Sequence, residues 1–401
     1  MQDFNWGSHI LAAKKTYFFK LKQQVNMASQ NKHSDVLNNN KPALREEQAV
    51  QLIESLYGLK VSNIKALPSY DDQNFYIKSC CKDPSGCCEY VMKITNSEDS
   101  RYGELLEAQT CVMVFLCNNG VPAQKPVCTI NGQNLSLETI DYGSTIEEQA
   151  VRLLTYLPGT PLAKIVATPE MLFDVGKMAA NIDKMLAENF QHPNKTCFER
   201  GQFIWNLSNT PLLQKYVHAV KEEELQNIIE GVITQYETFV LPNLSCFRKC
   251  INHGDLNDHN ILVEKTSSPG SIQEQYKVSG ILDFSDMSYG YYIFELAITI
   301  MYMMIESNDP LHAGGYVLAG FESVIPLTAE EKDALFFLVN CRFSQSLVMA
   351  RYSVLLCPEN EEYLMITAKT GWKHLKTLHN MGKEAVEKIW FETADSYVAN
   401  H

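Results

Sequence analysis

The pattern of apolar residues changes at residues 158–161 (PGTP), and this change restricts the fold more than any other feature of the sequence. Upstream, apolar and polar residues alternate in short runs that predict strands at 61–67, 75–79, 89–95, 127–130, 135–138 and 151–157, with helices at 46–57 and 100–118. Downstream, helical spacing predicts helices at 169–189, 211–220, 222–240, 291–306, 328–356 and 359–394, interrupted by a β-rich stretch at 250–284. The sequence therefore predicts an α+β fold of two lobes, an antiparallel sheet followed by a mostly helical lobe.

The 401 residues divide accordingly into an N-terminal extension at 1–44, an N-lobe at 45–157 and a C-lobe at 158–401. Asn, Ser, Gln and Lys are frequent at 28–41, so we expect the extension to be disordered. Met27 offers a second initiation site, which would make the residues before it optional. The lysines of this segment leave a mitochondrial leader as an alternative, but it has neither arginine nor a secretory signal, and we expect a cytoplasmic protein.

The charge balance limits the partners of the chain, since 34 Lys and Arg residues face 47 Asp and Glu residues for a net charge of −13. Nucleic acids and anionic membranes need a basic surface, so we expect neither as a partner, whereas a cationic small molecule fits. No run approaches the roughly 20 apolar residues of a membrane-spanning helix. Cys80, Cys81, Cys87 and Cys88 flank a turn, and zinc binding is an alternative there. Their spacing matches no standard ligand pattern, so we favour a hairpin with incidental thiols.

The densest group of polar residues is the loop INHGDLNDHNILV, which contains Asp255 and Asn260 in the order H-x-D-x-x-x-x-N. Phosphoryl transfer needs a carboxylate that accepts the proton of the attacking hydroxyl and an oxygen ligand for the metal ion on the phosphates. Asp255 and Asn260 can supply these two groups. A solvated loop is the alternative, and the preceding His253 and the following apolar run ILV favour the first interpretation.

A further carboxylate, Asp283, follows the apolar run GIL at 280–282. A carboxylate at the end of a strand suits Mg²⁺, which prefers oxygen ligands. The apolar segments between Asp255 and Asp283 predict a hairpin that returns Asp283 to the polar loop. Alone, Asp283 could cap a turn, but the two motifs in this order are much more specific than either one.

Lys93, in the predicted strand EYVMKIT, is the candidate for contact with phosphates. In kinases a helix glutamate holds such a lysine, and Glu107 is the first choice here, with Glu104 one turn earlier. An exposed strand lysine that never meets a glutamate is the alternative.

The loop PSYDDQNF before this strand has no G-x-G-x-x-G motif. Ser69 and Asn74 within it could still donate hydrogen bonds to phosphates, as could the backbone N–H groups of a tight turn. Its two aspartates would repel phosphate unless they turn outward or contact the acceptor. An ordinary turn between strands is the alternative.

The strings LPSYDDQNF, VRLLTYLPGTPL, INHGDLNDHNILVE and ILDFSDMSYGYYIFELAITIMYMMIES are similar to those of the aminoglycoside phosphotransferase-like small-molecule kinases. The resemblance covers nearly everything after residue 44 and is most specific to the members that phosphorylate hydroxylysine. It implies a bilobal protein-kinase-like fold. It also implies Mg²⁺-dependent transfer of the γ-phosphoryl group of GTP to the 5-hydroxyl of 5-hydroxy-L-lysine, a step of lysine and hydroxylysine catabolism. ATP stays open as the donor, because the residues do not select the base.

The same resemblance implies functions for individual residues. Asp255 matches the catalytic base, and Asn260 and Asp283 match the metal ligands. Residues 154–157 match the hinge that holds the nucleotide base. The implied nucleotide contacts are Ser69, Asn74, Lys93, Glu107, Thr155 and Leu157. Ser285 stands where many kinases have glycine, which puts in doubt a glycine-dependent movement of this segment but not metal ligation.

Two absences indicate a small acceptor rather than a protein. The string HGD lacks the arginine that protein kinases place before the catalytic aspartate, and only about eight residues separate Asp283 from the next helical pattern. Asp286 and Glu295 are candidates for the ammonium groups of the acceptor, and Arg342 for its carboxylate. Structural ion pairs are the alternative for each.

Two other functions stay open. A different amino alcohol, such as choline or ethanolamine, could be the acceptor of the same kind of kinase. The chain could also be a nucleotide-binding scaffold without catalysis, although the candidate catalytic and metal residues are all present. No obligate protein partner is expected.

Overall fold

The computed structural model describes residues 41–80, 87–266 and 275–401. The predictions for the first 40 residues, including Met27, lie outside the described residues, and so does Cys81 of the alternative zinc site. The described residues, from Lys41 onward, belong to one compact unit that holds both the sheet and the helices.

An antiparallel sheet forms the N-terminal part of this unit, as the alternating pattern predicted. Its strands are β1 (Val61–Leu67), β2 (Gln73–Cys80), β3 (Cys87–Ile94), β4 (Pro126–Val127), β5 (Ser136–Asp141) and β6 (Ile146–Thr155). They pair in the order β1-β2-β3-β6-β4, and β5 also pairs with β6.

Two helices flank the sheet. The first, α1 (Glu46–Tyr57), covers one face, where Ile53 packs in a buried cluster with Phe75, Ile77, Met92 and Ile94. These strand residues alternate with period two, so they share one face of the sheet. The second helix, α2 (Gly103–Asn118), packs its buried side into the core of the helical part.

The C-terminal part is mostly helical, which confirms the predicted fold class. Its helices are α3 (Pro169–Glu188), α4 (Glu223–Gln235), α5 (Tyr292–Ile305), α6 (Pro310–Glu322), α7 (Ala329–Leu356), α8 (Glu361–Leu364), α9 (Ala368–Met381) and α10 (Lys383–Asn400). Every residue of α5 after the first is buried, which explains why this helix is apolar on all sides. Within the described residues, no helix has the length and apolar character that crossing a membrane requires.

The short strands of this part position the polar motifs. They are β7 (Thr160–Pro161), β8 (Lys249–Asn252), β9 (Ile261–Thr266), β10 (Gln275–Ile281) and β11 (Ser288–Tyr291). The predicted hairpin is present: β9 and β10 are antiparallel, with Ile261 opposite Ile281. A bridge from Ala123 to Ile281 joins this hairpin to the segment that follows α2.

Several element boundaries differ from the predictions. Residues 207–219 form short 3-10 turns instead of the helix predicted at 211–220. Proline is tolerated at the first position of a helix, so Pro211 does not account for this difference. The predicted helix at 359–394 is divided into α8, α9 and α10, with Gly382 at a φ of +76° between the last two. The apolar pattern also failed to predict α6. The strand predicted at 127–130 is shorter and is present only as β4 (Pro126–Val127).

Candidate active site

The loop after β8 is anchored by His253 and Gly254. The buried His253 ring has Nε2 3.0 Å from the Leu282 carbonyl oxygen, and its Nδ1 accepts the Asp255 N–H at 3.3 Å. Burial lowers the pKa of His253 to about 4, so the ring is neutral at pH 7 and Nε2–H donates to Leu282. Gly254 has a φ of +83°, and an added Cβ would lie 2.7 Å from the Asp286 carbonyl oxygen, so this position requires glycine.

Asp255 is held by three donors. Its Oδ1 lies 3.0 Å from Arg342 Nη2, and its Oδ2 accepts from Asn257 Nδ2 at 2.8 Å and from Asn260 Nδ2 at 2.9 Å. Burial raises the pKa of Asp255 to about 6, and the Arg342 guanidinium opposes this rise. The side chain nevertheless stays 21% exposed, so an acceptor can reach it. A fixed, reachable carboxylate with a raised pKa is suited to accept a proton near neutral pH.

Asp283 follows β10 and points its carboxylate at Lys93. Its φ of +55° is the only positive value at a non-glycine position among the described residues, a conformation that aspartate tolerates better than most residues. Oδ1 accepts from Lys93 Nζ at 2.8 Å and from the Ser285 N–H at 3.3 Å. Burial alone would raise the pKa of Asp283, but the Lys93 ammonium lowers it below its usual range, so the carboxylate is ionised.

Lys93 links the sheet to the polar motifs over 190 residues of sequence. Its ammonium lies 3.0 Å from Asp72 Oδ2 as well as 2.8 Å from Asp283. The Leu282 N–H bonds to the Asn260 carbonyl oxygen at 2.9 Å, and Asn260 in turn contacts Asp255. The structure thus brings the predicted residues Lys93, Asp255, Asn260 and Asp283 into one connected network.

The predicted pair of Lys93 with Glu107 is not formed between these described residues. Glu107 and Glu104 are both on the exposed side of α2. The buried side of this helix carries Leu105, Leu106, Gln109 and Val112 instead, and α-helical spacing excludes Glu107 from that side. The same spacing can be read from the sequence, where it puts Gln109 rather than Glu107 on the buried side of the helix.

The loop before β2 turns its polar groups onto itself. Ser69 Oγ donates to the Asp72 carbonyl oxygen, while Asn74 lies opposite Lys93 in the register of β2 and β3. Asn74 Oδ1 is buried and has no hydrogen-bond partner among the residues that the structure describes. Asn74 therefore lies beside the phosphate-binding candidate, whereas the Ser69 hydroxyl is occupied in this state.

The predicted hinge lies where the sheet meets the helical part. The Thr155 N–H donates to the Lys125 carbonyl oxygen at 2.8 Å, and Thr155 Oγ1 accepts the Lys125 N–H at 2.9 Å. Leu157 packs near Gly280, where an added Cβ would lie 3.2 Å from Leu157 Cδ1. Thr155 and Leu157 are only partly buried.

Two of the three predicted acceptor residues belong to the support of the loop instead. Glu295, fully buried in α5, accepts the Gly254 N–H at 3.0 Å. Arg342, in α7, donates to Asp255 at 3.0 Å and to the Gly254 carbonyl oxygen at 3.1 Å. Their hydrogen bonds fix the loop, so neither side chain is open to an acceptor in this structure.

Asp286, the third predicted acceptor residue, is partly exposed beside the loop. Its Cβ is 3.6 Å from where a Cβ on Gly254 would lie. Burial and the neighbouring Asp255 carboxylate raise the pKa of Asp286 to about 8, although Arg200 and Arg342 oppose the rise. At pH 7 this carboxyl group is therefore mostly protonated, and a cation bound beside it would favour its ionised form.

Sequence reasoning missed an aromatic wall beside Asp255. The Arg342 guanidinium lies 5.2 Å from the Trp205 ring and 5.3 Å from the Tyr302 ring. Tyr70, in the loop before β2, packs edge-on against Trp205 with ring centroids 6.0 Å apart. No sequence motif predicts that Tyr70 and Trp205 lie near Asp255, because this proximity depends on how α7 packs.

A model of the phosphotransferase enzyme family, APH, matches residues 63–327. Curated proteins named hydroxylysine kinase are similar over most of the chain. The Xenopus laevis protein is 90% identical over 373 residues, which cover 93% of this chain and 100% of that protein. The Mus musculus protein is 55% identical over 363 residues, which cover 89% of this chain and 95% of that protein.

Solved structures share the fold at low sequence identity. Amicoumacin kinase hAmiN, in complex with AMP-PNP, Ca²⁺ and Ami, has a TM-score of 0.57 and 14% identity, covering 84% of this chain and 96% of that one. Choline kinase from Cryptosporidium parvum Iowa II has a TM-score of 0.53 and 13% identity, with the same two coverages. At these identities the likeness supports the fold alone.

Proposed function

This chain belongs to the phosphotransferase enzyme family, in its hydroxylysine kinase branch, and is a small-molecule kinase; on that premise we propose that it transfers the γ-phosphoryl group of GTP to the 5-hydroxyl of 5-hydroxy-L-lysine. The observation that carries the proposal is the network of Lys93, Asp283, Asn260 and Asp255 described above. The proposal assigns to these residues a phosphate-binding cation, two oxygen ligands for a metal ion and a base, the groups that phosphoryl transfer needs.

In this proposal Asp255 accepts the proton of the attacking hydroxyl. Arg342 and the amides of Asn257 and Asn260 orient its carboxylate, so the base needs no rearrangement when the acceptor arrives. The neutral His253 anchors the same loop through its hydrogen bond to the Leu282 carbonyl oxygen. Positioning and charge stabilisation are the main protein contributions in phosphoryl transfer.

Asn260 and Asp283 fit Mg²⁺, which takes oxygen ligands and is usually bound by one or two side chains together with substrate phosphates. Both amide hydrogens of Asn260 are directed to Asp255, at 3.0 Å from its carbonyl oxygen and 2.9 Å from Oδ2, so Oδ1 is the atom left for a metal. Asp283 is ionised and its side chain is 40% exposed. When bound, the ion would neutralise charge on the phosphates.

The nucleotide would lie between Lys93 and the hinge. We infer that Asn74 and the backbone near Ser69 contact the phosphates, and that Thr155 and Leu157 hold the base. The choice of GTP over ATP rests on the resemblance to the hydroxylysine kinases, since backbone groups of a hinge can serve either base.

Asp286 is the residue we assign to an ammonium group of the acceptor. Burial raises its pKa, and a bound ammonium group would favour the ionised form, as Arg200 and Arg342 already do. Aromatic rings attract cations, as the Arg342 guanidinium 5.2 Å from the Trp205 ring illustrates, and Tyr70 adds a second ring to this wall. Hydroxylysine has two ammonium groups, so it suits this acidic and aromatic site.

Replacing Asp286 with asparagine is expected to raise the KM for hydroxylysine by about 10- to 100-fold, the contribution of a hydrogen bond to a charged group. The KM for GTP should change less than about twofold, because Asp286 is not assigned to the nucleotide. Steady-state kinetics in both substrates measure the two values. The exposed Asp395→Asn in α10 is the matched control, and an unchanged hydroxylysine KM in Asp286→Asn would remove Asp286 from the acceptor site.

A matrix of donors and acceptors tests the proposed function as a whole. GTP and ATP are each combined with hydroxylysine, choline and ethanolamine, and products are identified by mass. We expect phosphohydroxylysine to form fastest with GTP. A faster reaction with choline or ethanolamine would show that hydroxylysine is not the preferred acceptor. Thermal stabilisation by Mg·GTP without any product would favour a nucleotide-binding scaffold.

A further inference from the structure

The helix that would normally supply the partner of Lys93 has no carboxylate on its buried side. In α2, which is described throughout, that side carries the neutral Gln109 among apolar residues, while Glu104 and Glu107 face solvent. Gln109 is 1% exposed, and its Nε2 donates to the Ser285 carbonyl oxygen at 3.0 Å. The helix therefore contacts the segment after Asp283 through an amide, and it cannot balance the charge of Lys93.

The charge of Lys93 is balanced from the loop before β2 instead. Asp72 Oδ2 lies 3.0 Å from Lys93 Nζ, and both side chains are 8% exposed. A buried ammonium needs a partner of opposite charge, since desolvation disfavours its charged form. Asp283 is the other partner, but in the proposed function it also binds the metal ion. Asp72 is the carboxylate that remains for Lys93.

A second buried cation makes this carboxylate more important. Arg152 in β6 lies opposite Lys93 in the register of the sheet and is 2% exposed. Burial lowers the pKa of Arg152, and Asp72 is the first of the charges that oppose this. Asp72 thus faces two buried positive charges that would otherwise repel each other.

Asp72 is fixed in this orientation by Asn96, which lies just after β3. Asp72 Oδ1 accepts the Asn96 N–H at 2.9 Å and Asn96 Nδ2 at 3.2 Å, which leaves Oδ2 for Lys93. Asn96 Oδ1 in turn accepts the N–H groups of Glu98 and Asp99 at 3.1 and 2.9 Å. The hydrogen bonds of Asn96 therefore hold the Asp72 carboxylate in the orientation that contacts Lys93.

We propose that Asp72, oriented by Asn96, is the positioning residue that holds the Lys93 ammonium for the phosphates of the donor, in place of a helix glutamate. The inference deepens the proposed function and rests on it, because it assumes that Lys93 binds the nucleotide. It accounts for an aspartate in a phosphate loop, where an unpaired carboxylate would repel phosphate. It also accounts for the neutral Gln109 on the buried side of α2.

The test compares Asp72→Asn, Asp72→Glu and Glu107→Gln in the full chain. We expect Asp72→Asn to raise the KM for GTP by about 10- to 100-fold and to leave the KM for hydroxylysine within about twofold. Asp72→Glu should recover part of the loss, because it restores the charge. Glu107→Gln should match the wild type. An unchanged KM for GTP in Asp72→Asn, or a rise in Glu107→Gln instead, would overturn the proposal.

A second measurement separates this inference from the proposed acceptor. Thermal stabilisation by Mg·GTP needs no acceptor, so it reports on Lys93 even if hydroxylysine is not the substrate. We expect a smaller stabilisation in Asp72→Asn than in Glu107→Gln. If Asp72→Asn does not fold, Asn96→Ala decides, because it loosens Asp72 without removing its charge. Weaker nucleotide stabilisation in that variant supports the proposal, and wild-type stabilisation overturns it.

Discussion

Asp255→Asn is expected to lower kcat by about 100- to 10,000-fold, the usual contribution of a general base. An amide cannot accept the proton of the attacking hydroxyl, whereas the Lys93–Asp283 pair is left in place. Because Asp255 accepts from the donors Arg342, Asn257 and Asn260, the new NH₂ group will oppose at least one of them and cost about 1–3 kcal/mol of stability. Stopped-time assays with GTP and hydroxylysine measure the loss.

Two controls show whether that loss is chemical. Mg·GTP should still raise the melting temperature of Asp255→Asn, which would show that the nucleotide site survives. His259→Ala, an exposed position in the same loop, should keep wild-type turnover. Turnover of Asp255→Asn within about threefold of the wild type would exclude Asp255 as the base.

Asp283→Asn is expected to lower kcat at least about 100-fold, since a metal ion contributes several kcal/mol to the stabilisation of charge on the phosphates. Asparagine tolerates the φ of +55° at this position, so the variant removes the charge without straining the backbone, which alanine would not achieve. Lys93 keeps Asp72 as its partner, at 3.0 Å. The fold should therefore persist.

Metal titrations distinguish this effect from a general loss of activity. We expect the thermal stabilisation by nucleotide to depend on Mg²⁺ in the wild type and to lose most of that dependence in Asp283→Asn. Asp286→Asn, three positions further on, should keep it, because Asp286 is assigned to the acceptor. If Asp283→Asn responds to Mg²⁺ as the wild type does, Asp283 is not a metal ligand.

Much of the fold could be predicted because local patterns determine it. The period of two in β2 and β3 and the fully apolar α5 each follow from burial on one face or on all faces. Errors occurred where one residue overrides the pattern. Gly382, at a φ of +76°, divides the long C-terminal helix.

The site was harder to predict where it depends on tertiary packing. Asp255, Asn260 and Asp283 lie in two linked strand-and-loop motifs, so their proximity follows from one hairpin. The partner of Lys93 depends on the rotation of α2 and on the path of a separate loop. The donation from Arg342 to Asp255, across 87 residues, depends on how α7 packs, and no local pattern encodes either contact.

The most direct test is a crystal structure with a non-hydrolysable GTP analogue and Mn²⁺, which anomalous scattering locates in place of Mg²⁺. We expect the Mn²⁺ peak beside Asn260 Oδ1 and the Asp283 carboxylate, with Lys93 Nζ on the phosphates and Asp255 facing the terminal phosphate. A metal peak remote from Asp283, or a nucleotide that does not contact Lys93, would contradict the assignment of this site to phosphoryl transfer.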